Sequence, residues 1–375
     1  MTERNWDDEG LARLTAVIAA ASSQRASQDG AIRARADDLA GQAIADLVAN
    51  TTDKEYNDDT KANIGLLLAN CPAELTEAWN GGALANTGNN TELRAGSADD
   101  ASELAYRVVD NADAATTISA QIAQYARDLS QARIQERAGD PTRQVDGISE
   151  AYNRAGQAAG YLAGLAEARA GELSEESETD AKNATANAQL VFSTLSTVIG
   201  AGLGSVGGPV GTVAGSVAGK TAWSVASTLT KPLVAVDAQT FTSTFDGDDM
   251  DDNLWAAAVQ DAANAGLLQS TDFDITATYD AGGHEVTHYY WLVDNGDGTH
   301  SIDLSQTPPE DVSQQLEEDG KDNNVPEQIT TWSNTIAASD NPDDTLAQIS
   351  EKFNSRYDTG KREAANSFKS RNPDE

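Results

Sequence analysis

The sequence predicts a mainly α-helical protein, a helical array around a central glycine-zipper helical hairpin, with a small antiparallel β-meander near the C-terminus. Three observations predict it. Aromatic residues make up only 6% of the 375 residues and alanine is abundant, which favours packed helices over a sandwich or barrel built from large rings and β-branched side chains. Apolar residues recur at helical spacing through the first 180 residues. A long uncharged segment carrying glycines at every fourth position then interrupts the pattern.

Taken in order, Leu11, Leu14, Val17 and Ile18 mark a first amphipathic helix, and Leu39, Ala43, Ile44, Leu47 and Val48 a second. Asp58, Asp59 and Thr60 supply N-cap chemistry before Ile64, Leu67 and Leu68, and Pro72 after Cys71 ends or restarts that helix. Gly81 to Gly96 reads as a loop. Ser97 to Ala138 reads as one long helix with Leu104, Val108, Ile118, Ile122, Tyr125 and Leu129 on its stripe, closed by Gly139, Asp140 and Pro141. A further helix from about Gln144 to Leu173 carries Ile148, Tyr152, Tyr161, Leu162 and Leu165 on its packing side. No fixed internal period emerges, so this 1–180 region is a helical array and not a solenoid of repeats.

Asn183 to Gly219 is a run of 37 residues without a charged side chain, within a hairpin segment bounded at 181–236. Gly200, Gly204 and Gly208 are spaced by four, as are Gly211, Gly215 and Gly219, and Gly207, Gly208 and Pro209 form a turn between two arms. That spacing puts each glycine set on one helix face, where two arms can approach backbone to backbone. Because each helical glycine costs about 1 kcal/mol relative to alanine, close packing has to compensate. Two readings stay open: a hairpin buried in the core of a soluble protein, or one that engages a membrane, since arms of about 20 residues can span a bilayer core.

Beyond residue 237 the chain turns acidic. Asp251 to Leu268 reads as a helix carrying Leu254, Trp255, Ala258, Val259, Leu267 and Leu268, and Phe273 to Leu304 as a β-meander with a hairpin turn at Asp294 to Gly298. Residues 237–307 thus form an acidic helix plus meander. Residues 308–375 read as a polar tail with helical pieces around Val325 to Ala338 and Leu346 to Phe353, frayed at its end.

Charge bounds the function classes. Sixty acidic against 25 basic residues give a net charge of -35, a field that argues against nucleic-acid binding. Arginine is absent between Arg169 and Arg356. One cysteine, Cys71, excludes an intrachain disulfide framework. The N-terminal residues read as an amphipathic helix and not as a secretory signal, so the expected location is the cytoplasm, or outside it by a route independent of such a signal.

His284, Glu285 and His288 spell the HExxH pattern of zinc metalloproteases, in which a helix brings both histidines to one metal and the glutamate serves as general base. Here glycines precede it and a β-rich run follows. On a strand the two histidines stand about 13 Å apart, too far to chelate one zinc at bond lengths of about 2 Å. The acidic cluster of Asp246, Asp248, Asp249, Asp251 and Asp252, and the turn of Asp294, Asn295 and Asp297, lack EF-hand spacing. No phosphate-binding loop, dinucleotide fingerprint or nucleophile elbow is present, and no cofactor is expected.

Trp79, Asn80 and Gly81, followed by Tyr106 to Asp110, resemble the Trp-x-Gly and Tyr-xxx-Asp export elements of small helical-hairpin substrates of the actinobacterial type VII secretion pathway. The chain departs from that pattern by the long loop between the two elements. More broadly, IGLLLANCPAELTEAWNGG, ISEAYNRAGQAAGYLAGLAEA and AGLGSVGGPVGTVAGSVAG resemble uncharacterised helical actinobacterial proteins of secreted and toxin-like architectures over residues 10 to 240. The resemblance implies a structural module and brings no catalytic residues. The expected function is therefore a non-enzymatic structural or interaction module, export- or envelope-associated, whose hairpin packs in the core or engages a membrane or a protein partner. The alternatives are a zinc-dependent hydrolase using His284, Glu285 and His288, and a companion or neutralising protein of a related toxin.

Overall fold

The computed structural model describes residues 7–51, 55–81, 98–176, 247–268, 289–296, 300–304, 328–333 and 345–369. The described residues are mainly helical, with one two-stranded antiparallel sheet near the C-terminus. The predicted glycine hairpin, the HExxH segment and most of the loop after Gly81 lie outside the described residues.

Helix α1 (Asp8–Ser22) starts where the Asp7 carboxylate accepts the Gly10 amide at 2.7 Å. Its buried face is Leu11, Thr15, Ile18, Ala19 and Ser22, whereas Val17 is 67% exposed. A 3-10 turn (Ser23–Ala26) leads to α2 (Gly30–Asn50), capped by Asp29. Its packing stripe runs through Ala36, Ala40, Ala43, Ile44 and Leu47 and leaves Leu39 partly in solvent. Val17 and Leu39 are thus corrections to the predicted stripes: small residues, which let neighbouring helices come close, hold the buried face instead.

Asn57, and not Asp58 to Thr60, caps α3 (Asp58–Ala69): its extended backbone aims the side-chain oxygen at the Thr60 amide, 2.9 Å away. Pro72 opens α4 (Pro72–Trp79), a position where its missing N–H costs nothing. The long helix predicted over 97–138 is two, α5 (Ala98–Val108) and α6 (Ala112–Glu136). Asn111 takes an extended backbone and accepts the Ala114 amide, so the chain restarts there although the apolar periodicity continues.

Helix α7 (Pro141–Glu176) is 36 residues long, about 54 Å, and forms the spine of the molecule. Ile148, Tyr152, Tyr161, Leu162 and Leu165 are all buried, as predicted. Each fully buried side chain of this size contributes about 2 kcal/mol. Helices α4, α5 and α6 pack on it, as do α8 (Gly247–Asn264), α9 (Thr345–Lys352) and α10 (Tyr357–Lys369). Their buried residues join those of the N-terminal helices in one hydrophobic cluster.

The predicted helix 251–268 therefore starts earlier and ends earlier, turned by Gly266 at φ +69°. The end expected to fray carries α10 instead, with Tyr357, Ala364 and Phe368 buried. Glycines explain this docking. A Cβ at Gly160 would fall 1.9 Å from the Tyr357 carbonyl oxygen, one at Gly164 2.5 Å from that of Lys361, and one at Gly360 2.0 Å from that of Gln157.

Strands β1 (Leu292–Asp294) and β2 (His300–Ile302) pair antiparallel with Val293 opposite Ser301, consistent with the predicted turn. They hang on α8: Gln260 Nε2 donates to the Ile302 carbonyl at 2.9 Å, and the Ile302 amide donates to Asn264 Oδ1 at 3.2 Å. Trp291 stacks on Tyr289 and meets Trp332 edge-on, sealing this end.

Candidate functional site

The proposed export elements are placed inside the packing. Trp79 is 1% exposed, stacks on Tyr161 with ring centroids 5.4 Å apart, and donates its indole N–H to Ser102 Oγ at 3.1 Å. Gly81 ends that stretch at φ +78°. Tyr106 sits one helical turn beyond Ser102 on α5, stacks on Phe368 of α10 at 4.5 Å and donates to Glu172 Oε2 at 2.7 Å. Asp110 takes Lys61 Nζ at 2.6 Å and has Arg169 Nε at 3.7 Å. The fold thus brings Trp79 and Tyr106 to one stretch of α5 despite the intervening loop, and it engages the polar tips of Trp79, Tyr106 and Asp110 with its own residues.

Two buried polar clusters lie elsewhere. In the first, Arg25 from the 3-10 turn ties α2 to the α3–α4 corner through Asp37, Glu74 and the Asn70 carbonyl. Cys71 is fully buried beside it, and burial pushes its thiol up to about 12 despite the opposing pull of Arg25. In the second, Tyr152 OH donates to Asp261 Oδ2 at 2.8 Å, and Arg127 donates to Gln260 Oε1. Burial raises the Asp261 carboxyl above its ordinary range, against the pull of Arg127 and Tyr152. Both clusters are enclosed cross-braces between helices. A structural role accounts for them.

The remaining arrangement is open to solvent. Where the end of α4, one face of α7 and the α9–α10 link meet, they surround a recess of about 400 Å3. Asn80 joins two walls: its Nδ2 donates to the Thr76 carbonyl at 2.7 Å and to the Arg154 carbonyl at 3.0 Å. Asn153 joins the third, donating to the Lys352 carbonyl at 3.0 Å and accepting the Asn354 amide at 2.7 Å. The walls are held by hydrogen bonds before any ligand arrives, which reduces the ordering cost of binding.

Charged groups ring the recess. Arg154 pairs with Glu77 and with Glu150, the latter at 3.0 Å, and Lys352 pairs with Asp146. Arg356 also lines it and has no ion pair among the described residues. Its backbone is left-handed, φ 55°, the only non-glycine among the described residues with positive φ, at a cost on the order of 1 kcal/mol. The reason lies next door: the Ser355 carbonyl is pressed against Gly156 of α7, where a Cβ would come within 2.3 Å, so the turn into α10 falls on Arg356.

At the floor is Ser149, 2% exposed, whose Oγ has no hydrogen-bond partner. Ser102, Ser119 and Ser333, also in helices, donate to the carbonyl four residues back at 2.9, 2.7 and 2.7 Å. Ser149 does not use that outlet. A buried hydroxyl without a partner costs about 1–3 kcal/mol, and this one is enclosed, with almost no surface open to the recess.

Sequence reading missed this recess. Its residues come from positions 80, 146–154 and 352–356, and nothing local links them. One signal lies in the sequence: Arg356 is the first arginine after Arg169. Among the described residues no group of three His, Cys, Asp or Glu side chains is placed to hold a metal ion, and no helix is long and apolar enough to cross a membrane.

A family model described as a family of unknown function (DUF6571) matches residues 1–367. No curated protein and no solved structure matches the chain.

Proposed function

We propose that the chain, which belongs to the DUF6571 family of unknown function, is a non-enzymatic helical interaction module that binds its partner or ligand at the recess between α4, α7 and the α9–α10 link. The observation that carries this reading is an unpaired guanidinium, Arg356, held on a left-handed backbone in a recess whose walls are already fastened. Ser149 has no hydrogen-bonded base, so the arrangement favours binding over nucleophilic chemistry.

The resemblance to helical proteins of secreted and toxin-like architectures supports an exported or envelope setting for this module. The net charge of -35 would keep it soluble until it meets its target. In this reading the uncharged segment 183–219 supplies a second contact element, for a partner or a membrane.

The test is a thermal-shift screen of small anions, cations, neutral polar molecules and short peptides against the wild-type chain and the Arg356→Gln and Arg356→Gly variants. At least one class is expected to raise the melting temperature of the wild type and to lose that effect in both variants. Shifts of equal size in all three proteins, or no shift from any class, would remove the recess from the account.

A further inference from the structure

We infer that the recess is a carboxylate-binding site in which the Arg356 guanidinium forms a two-pronged ion pair with the ligand. This rests on the reading of the recess as a binding site and names what it binds.

The charge tally selects the ligand. Arg137, Arg154, Lys352 and Arg356 stand against Glu77, Asp146 and Glu150, but Arg137, Arg154 and Lys352 are committed to acidic neighbours. One positive charge is left over, and it sits on the residue best suited to a planar, two-oxygen anion. A phosphate with two negative charges would leave one uncompensated inside a chain of net charge -35. A cation would meet Arg356 with no anion left unpaired to receive it.

The geometry agrees with the charge. Ser149 and Arg356 belong to different elements, α7 and the α9–α10 link, and both line the same cavity. Asn153 fixes the separation of those elements through Lys352, at the end of α9, and Asn354, within the link. A cavity of about 400 Å3 admits a small organic acid or the last residues of a peptide, and both present the same group.

The backbone of Arg356 supplies the most discriminating variant. If the residue were there for the turn alone, glycine would serve better at φ 55°. Arg356→Gly is therefore expected to raise the melting temperature while abolishing binding, a pairing of effects that a structural role does not produce. Arg356→Lys keeps the charge and loses the fork, so it is expected to bind with intermediate strength.

The experiment is isothermal titration of the full chain with lactate, with N-acetylglycine, with acetyl-triglycine bearing a free carboxylate, and with the same peptide amidated. Saturable binding is expected for at least one free carboxylate and none for the amide. Affinity is expected to fall about tenfold or more in Arg356→Gln and to be unchanged in Arg33→Gln on α2. Binding of the small acids alone assigns the carboxylate to a free metabolite-sized acid. Binding of the peptide alone assigns it to a protein C-terminus.

The inference is overturned if the amide binds as well as the acid, if Arg356→Gln binds like the wild type, or if no carboxylate binds. Should carboxylates fail while a neutral or cationic compound still stabilises the protein through Arg356, the recess remains a binding site for another class. If no class depends on that residue, both readings fall together.

Discussion

The Tyr357 carbonyl oxygen lies where a Cβ on Gly160 would stand, 1.9 Å from it, so α10 can seat on α7 only because residue 160 has no side chain. Gly156, Gly160 and Gly164 repeat every fourth residue and present three such openings to the 355–364 segment. Gly360 answers from the other side.

Gly160→Ala is expected to destabilise the protein by about 1–3 kcal/mol, because the obstructing atom is backbone and cannot rotate away. Gly171→Ala on the same helix is the control. Nothing lies within 4 Å of its added methyl, so the gain in helix propensity should stabilise by roughly 0.5–1 kcal/mol. Urea melts followed by circular dichroism read both. Equal effects at the two sites would remove the seam from the account of α10 docking.

Trp79 and Tyr106 are expected to behave as core residues. Trp79→Ala should cost about 3–5 kcal/mol, since it empties a fully enclosed site and strips the stack from Tyr161. Tyr106→Phe keeps the stack on Phe368 and loses the hydroxyl's bond to Glu172, about 1 kcal/mol. A Trp79→Ala protein that melts with the wild type would show that the indole is not holding α4 to α5 and α7.

Cys71 is expected to resist thiol reagents. It is fully buried and its thiol is raised to about 12, so neither access nor thiolate is available at neutral pH. Stability from the neutral thiol is therefore present below its ordinary range and is lost as pH rises toward about 12. A disulfide reagent at pH 8 should titrate no thiol in the native protein and one in denaturant. Rapid native reaction would mean that the α3–α4 corner opens.

Asp261 gives a pH dependence of the same sign. Its folded carboxyl is raised by burial, so its contribution is fully present below the ordinary carboxylate range and declines as pH rises through the folded value. The melting temperature of Asp261→Asn relative to wild type should therefore become more favourable on going from pH 4 to pH 7. A difference that does not change, or changes in the opposite direction, would show that Asp261 is not held against ionisation by its burial.

Much of the helical layout was legible in the sequence because its causes are local. Pro141 and Gly139 mark the boundary between α6 and α7, and the Asp294 to Gly298 turn signals the β1–β2 pair. The errors occurred where two local signals competed. Periodicity runs unbroken from α5 into α6, yet the capping side chain of Asn111 stops one helix and starts the next. The glycine ladder in 156–164 was as visible as the one in 200–219, but alanines and leucines around it gave it the texture of an ordinary helix.

The sequence by itself determined that this chain builds helices, roughly where they start and stop, and that its surface is acidic. Those properties depend on residues within a turn or two of each other, where capping bonds and a 3.6-residue period act. Only the tertiary structure decided which glycines become a seam, that Trp79 and Tyr106 face inward, and that Asn80, Ser149 and Arg356 meet around one recess. Such meetings depend on how helices cross, and a crossing is set by the shapes of two surfaces far apart in the chain.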